Sequence, residues 1–218
     1  MDYDAIVFDN DGVLARITER EAVREAIADT LAEFGVENPP QEHIERLFGV
    51  TIEDVMAVCS EYDIDPAAFW ERRDRNVADA QIELIRAGRK DLYDDVAALD
   101  RLESPMGVVS NNQHETVEYI LRHYGVDEQF HTVYGRQPTL EDVRRKKPEP
   151  YYLEQAIDDL GADRTLYVGD SPSDLVAARR AGADGAFVRR DHRVDTELPH
   201  TPEYEVRSLH TLVDQLEA

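Results

Sequence analysis

The sequence is short of cysteine, of lysine and of long apolar runs, and each shortage excludes something. A single cysteine, Cys59, cannot close an internal disulfide, so no oxidising compartment is called for. No stretch approaches the roughly 18 consecutive apolar residues of a membrane span. Basic residues number 24 against 47 acidic ones, for a formal net charge of −23, and only three of them, Lys90, Lys146 and Lys147, are lysines. So negative a surface repels nucleic acid and anionic lipid, which sets both aside as partners. The acid is spread along the chain and lysine is scarce, a pattern that reads as adaptation to high salt, where counterions screen the self-repulsion. The first residues run straight into a strand-like segment, which predicts no signal peptide and a cytoplasmic setting.

What is there is 218 residues, enough for one domain with an insertion or for two small domains. Residues 4–8 read as a buried strand, because Ile6, Val7 and Phe8 form an apolar run closed by the loop signal Asp9-Asn10-Asp11-Gly12. From about Glu19 to Arg89 the periodicity is helical. Ala22, Ala26, Ile27 and Leu31 share a face, Thr51 to Asp54 resembles a capping box, and Pro66 opens a long helix that Gly88 stops. The second half alternates. Strands are expected at 106–109, 131–134, 166–168 and 185–188, the last of them closing the sheet. Helices are expected at 94–103, 114–124, 149–160, 174–181 and near 208–217. Such alternation predicts an α/β fold with a parallel sheet and right-handed crossovers, helices on both faces. The all-helical block becomes an insertion after the first strand. The expected division is 1–15 with 90–218 as the core and 16–89 as the insertion.

Open parallel sheets carry their ligands at the carboxyl ends of the strands. Those ends hold Asp9 and Asp11, then Ser110 and Asn111, then Lys146 and Lys147, then Asp170 and Asp174. Several carboxylates converging on one point need a cation to stay ionised, and hard oxygen donors at this density suit Mg²⁺ with a substrate phosphate. A lysine and a serine hydroxyl add positive charge and a donor for phosphate oxygens. A carboxylate that attacks phosphorus forms an aspartyl-phosphate, and a second carboxyl two residues on can face the same side and serve as acid and then base.

These motifs resemble those of the haloacid dehalogenase superfamily, in its phosphatase branch. The segments are Phe8-Asp9-Asn10-Asp11-Gly12-Val13-Leu14, Val108-Val109-Ser110-Asn111, Lys147-Pro148-Glu149-Pro150 and Gly169-Asp170-Ser171-Pro172-Ser173-Asp174, in that order along the whole chain. The resemblance implies a Rossmann-like core with a helical cap over the site. It implies Asp9 as nucleophile and Asp11 as acid and base. The Mg²⁺ ligands would be Asp9, the Asp11 carbonyl and Asp170, with Asp174 binding directly or through water. Ser110, Lys147 and the Asn111 amide would hold the phosphoryl group. A small phosphorylated metabolite is the implied partner, on a monomer or homodimer.

Plainer readings stand beside these. Asp9 and Asp11 could form a turn, Ser110 could cap the next helix, and Asp170 with Asp174 could cap another. Lys146, with Arg144 and Arg145, reads as a solvated basic patch, and His114 as a surface residue at a helix start. In the cap, Gly49, Val50 and Thr51 resemble a substrate-specificity loop. Arg16 could reach the far end of a substrate or simply cover a helix, and Arg46 is a weaker candidate. Phe69 and Trp70 are expected in the cap's own core.

Within the family, dehalogenases lack the second aspartate. Phosphoglucomutases carry a cap histidine and arginine where Glu21 and Ile52 stand here. Phosphonate hydrolases need a cap lysine, and Lys90 lies at the cap's very edge. Hydrolysis of a small phosphate monoester remains, phosphoglycolate being the familiar case. A phosphoaspartate signalling protein, with similar residue types but no cap, is the alternative from another class.

Overall fold

The structure, a computed structural model, describes residues 3–49 and 51–218; Val50, part of the expected specificity loop, lies outside the described residues. Contacts divide the chain into two compact units. One comprises Met1–Ile17, Asp91–Gly135 and Lys146–Ala218, the other Thr18–Lys90 and Arg136–Arg145.

The first unit is built on a six-stranded sheet of β1 (Ala5–Phe8), β2 (Met106–Gln113), β3 (Phe130–Arg136), β4 (Thr165–Gly169), β5 (Asp184–Val188) and β6 (Tyr204–Val206). The order is β3-β2-β1-β4-β5-β6, and β1 pairs in parallel with both β2 and β4. The pairs β4–β5 and β5–β6 are parallel as well. Strand β1 is apolar throughout and wholly buried, as a central parallel strand covered on both sides must be. The chain leaves β1 toward β2 on one side and returns to β4 on the other. That reversal of strand order places a crevice at the carboxyl ends of β1, β2 and β4. Helices α5 (His114–His123), α7 (Tyr151–Leu160), α8 (Pro172–Arg180) and α9 (Leu209–Leu216) pack on this sheet. One core cluster joins Val7, Val109 and Tyr167 on the strands to Tyr152, Leu153 and Ala156 on α7 and Ala178 on α8.

Within the sheet, two elements depart from the expected pattern. Strand β2 does not stop at 109 but runs through Gln113. Asn111 and Asn112 carry no apolar signal, yet both find side-chain partners that keep the chain extended. The expectation that 185–188 is the last strand is corrected by β6, whose three residues pair with β5 but are too few to show a period.

The second unit consists of α1 (Arg20–Glu33), α2 (Gln41–Gly49), α3 (Ile52–Glu61), α4 (Pro66–Arg86) and α6 (Leu140–Arg145). Helix α4 starts with Pro66 in its first turn, as expected, and the Asp65 side chain caps it by accepting from the Ala68 amide at 2.8 Å. Its core holds Ile27, Leu31, Leu47, Val55, Val58, Phe69, Trp70 and, from α6, Val143. Residues 136–145 therefore belong with the helical block, whereas sequence alone assigns them to the core. A second tie is ionic. Arg136 forks onto the fully buried Asp74, with one bond at 2.8 Å, and Arg73 reaches the same carboxylate at 3.1 Å. Among the described residues, no helix is long and apolar enough to cross a membrane.

Candidate functional site

The loop after β1 is made by local geometry. The carbonyl of Asn10 accepts from the amides of Val13, Leu14 and Ala15 at 3.3, 2.9 and 2.8 Å, which turns the chain sharply. Gly12 sits at φ +87°, and a Cβ there would lie 2.4 Å from Oδ2 of Asp170, so this position demands glycine on two counts. Gly169 closes β4 under a similar constraint, since a Cβ would fall 2.2 Å from Cβ of Asp174. The two loops thus lie in close contact.

Carboxylate oxygens of Asp9, Asp170 and Asp174 all lie within 4.8 Å of one another, and all three residues are buried. Lys147 Nζ reaches Asp9 Oδ1 at 2.9 Å and Asp174 Oδ1 at 2.8 Å. It also donates to the Tyr167 hydroxyl at 2.6 Å and to the Val109 carbonyl at 3.2 Å. Burial, reinforced by the charges of Asp174 and Asp170 and opposed by Lys147, pushes the Asp9 carboxyl up to about 8. Burial works against the charged lysine too, but Asp174 and Asp9 outweigh it and hold Lys147 well above its ordinary range. At Asp170 burial is outweighed by His192 and Arg193, and the carboxyl sits below its usual value. Three buried acids, two of them sharing the Lys147 ammonium and the third paired with Arg193, are a hard-oxygen donor set with negative charge to spare, and this fits a divalent cation.

Asp174 doubles as a cap. Its Oδ2 accepts from the Asp170 and Ser171 amides and the Ser171 hydroxyl, at 3.1, 2.9 and 2.8 Å, and so closes a capping box on α8. Asp11 does not join the three-carboxylate group. Its Oδ2 accepts from Asn112 at 2.8 Å and from Asn10 at 3.1 Å. Ser110 is buried in β2, where its Oγ accepts from the Asn112 amide at 3.2 Å. It does not cap the next helix, which starts four residues later after Gln113. Asn111 pairs with the backbone of Lys147 in both directions, at 2.7 and 3.1 Å, and so fixes the main chain that carries the lysine. Lys146 is only half-buried. His114 accepts from the Gly135 amide at 3.3 Å and pairs with Glu118.

Arg16 is exposed in the first unit, its guanidinium 4.9 Å from the ring centre of Tyr93. Gly49 and Thr51 belong to the helical unit. Gly49 ends α2, exposed, and Thr51 caps α3 by accepting from the Asp54 amide at 3.1 Å. Arg46 pairs with Asp54. Lys90 is fully buried in the helical unit and donates to Thr18 at 2.6 Å and Gln81 at 3.0 Å.

Sequence reasoning passed over Tyr167, Asn112, His192 and Arg193. Tyr167 had a signal, because a hydroxyl inside a buried apolar strand needs a partner; it donates to Val109 O at 2.9 Å. His192 and Arg193 lie in a single 3₁₀ turn, Asp191–Arg193, too short to show a periodicity that would mark them.

A family model described as haloacid dehalogenase-like hydrolase matches residues 6–188. Relatives include the pyrophosphatase PpaX of Bacillus cereus, 27% identical over 190 residues, covering 86% of this chain and 84% of that protein. The PpaX of Halalkalibacterium halodurans is 32% identical over 126 residues, covering 56% and 57%. Among solved structures, CbbY from Rhodobacter sphaeroides in complex with phosphate superposes with a TM-score of 0.72 at 24% identity, over 96% of each chain, and supports the fold. With a family model spanning most of its length, the chain belongs to the haloacid dehalogenase-like hydrolases.

Proposed function

We propose that the protein is a Mg²⁺-dependent phosphohydrolase that cleaves a small phosphate monoester through an aspartyl-phosphate on Asp9. The observation that carries this reading is the convergence of Asp9, Asp170 and Asp174 within 4.8 Å of one another, with Lys147 paired to Asp9 and Asp174. Asp9 Oδ2 is the attacking oxygen, since Oδ1 is held by Lys147 and by the Asn10 amide at 2.7 Å. Asp11, kept apart from the acidic group by Asn112 and Asn10, gives a proton to the leaving oxygen and then takes one from the water that releases the enzyme. Lys147, Ser110 and the Asn111 amide hold the phosphoryl oxygens. Asp9, the Asp11 carbonyl and Asp170 would hold the cation, which supplies charge neutralisation at the phosphoryl group. Both Asp174 oxygens are already engaged, which favours contact through water. Arg16, Gly49 and Thr51 are candidates for choosing the substrate.

The substrate is a small phosphorylated metabolite such as phosphoglycolate. Relatives named pyrophosphatase add inorganic pyrophosphate to the candidates. The net charge of −23 supports work at high salt, so assays belong in molar NaCl or KCl. Incubation with Mg²⁺ and a panel of phosphate esters and pyrophosphate should release inorganic phosphate from at least one of them, and EDTA should abolish that release. Turnover of none, with a stable phosphoaspartate, would overturn the hydrolase reading in favour of a signalling protein.

A further inference from the structure

We propose that His192 and Arg193, in the turn after β5, are positioning residues that lock the Asp170 carboxylate in the orientation a cation requires. The inference rests on the metal-dependent reading above and deepens it. His192 Nε2 lies 2.7 Å and Arg193 Nε 2.9 Å from the same oxygen, Oδ2 of Asp170. Gly12 lies against the same oxygen, which would stand 2.4 Å from a Cβ at that position. Two donors thus hold Oδ2, which opposes rotation of the carboxylate and leaves Oδ1 for a cation.

The turn that delivers these two side chains is itself firmly built. Arg189 donates through one nitrogen to the carbonyls of Arg193, Val194 and Thr196, at 2.8, 3.0 and 3.0 Å. Arg190 is buried, forks onto Asp95 at 2.6 and 2.9 Å, and donates to the Val13 carbonyl at 2.8 Å. It also lies 3.9 Å from the ring centre of Tyr93. Two consecutive arginines thus tie the turn to itself and to the loop that carries Asp9 and Asp11. Hydrogen bonds to a ligating carboxylate orient it, and their removal typically weakens metal binding 10- to 100-fold. Two cationic donors also repel a cation, so the proposal is that orientation outweighs this repulsion.

The test is Mg²⁺ binding by titration calorimetry at constant high salt, with the full chain. His192→Ala and Arg193→Ala should each weaken binding by about tenfold or more. His192→Gln, whose amide nitrogen can occupy the place of Nε2, should keep most of the affinity, and urea midpoints measured without Mg²⁺ should stay level across the set. Unchanged or tighter binding by the alanine variants overturns the inference, and so does a glutamine variant as weak as the alanine one. Failure of the unaltered protein to bind Mg²⁺ overturns the metal-dependent reading itself, which keeps the two failures apart.

Discussion

Both units bury charge, with opposite imbalance. In the sheet unit, Asp9, Asp170 and Asp174 outnumber the two fixed cations that pair with them, Lys147 at Asp9 and Asp174 and Arg193 at Asp170. In the helical unit, the guanidiniums of Arg73 and Arg136 outnumber the one carboxylate of Asp74, and both lie 4.9 Å from the ring centre of Trp70. The difference lies in how far each group is completed by the protein. Arg136 and Asp74 form a two-pronged pair, Arg73 donates onward to the Leu47 carbonyl at 2.9 Å, and the aromatic face takes up part of the excess charge. Such a cluster ties α4 to residues 136–145 and to α2, and its work is architectural. The acidic group instead leaves Asp9 with a carboxyl pushed up to about 8, a sign that its charge is not fully matched by the protein. A buried charge left unmatched is costly, so such a group is a candidate site for a ligand that offsets it.

Substitutions should separate these two roles. The largest effect is expected from Asp9→Asn, which should lower turnover by at least about 10⁴-fold, on the scale of losing a covalent nucleophile. Its urea unfolding should still show a folded protein, because Lys147 keeps Asp174. Asp74→Asn should do the reverse. It strands two buried guanidiniums, so stability should fall by about 3–5 kcal/mol in denaturant titration. If Asp74→Asn leaves the midpoint in place, or Asp9→Asn unfolds the chain, the division into architectural and functional clusters fails. Tyr167→Phe sharpens the comparison from within the acidic group. It removes one partner of Lys147 and the donor to Val109 O, so stability should drop by about 1 kcal/mol. Turnover should fall by no more than about tenfold, a barrier change near 1.4 kcal/mol. A larger loss of activity would make the hydroxyl part of the chemistry.

The clustering of Asp9, Asp170 and Asp174 was legible because these residues follow strand ends in short motifs, so order along the chain maps onto position at the carboxyl edge of the sheet. The helical block was legible from its period and helix starts, as with Thr51 and Pro66. Residues 136–145 were not, because their allegiance is set by Val143 entering a distant core and by Arg136 meeting Asp74, 62 positions away. Strand β6 and the turn at 191–193 were too short to carry a period. Tyr167 and Asn112 were visible as polar residues in or after strands, but their partners, Lys147 and Asp11, lie far off in sequence.

By itself the sequence determined the α/β alternation, the helical insertion and the acids that end β1 and β4, because local periodicity and loop signals act over a few residues. Only the tertiary structure decided that Asp174 would both cap α8 and hold Lys147, that Asp11 would turn to Asn112 and away from the other acids, and that His192 and Arg193 would close on Asp170. The reason is that hydrogen bonds and ion pairs depend on distances of about 3 Å between groups far apart in the chain, and those distances come into being only when the strands are set side by side.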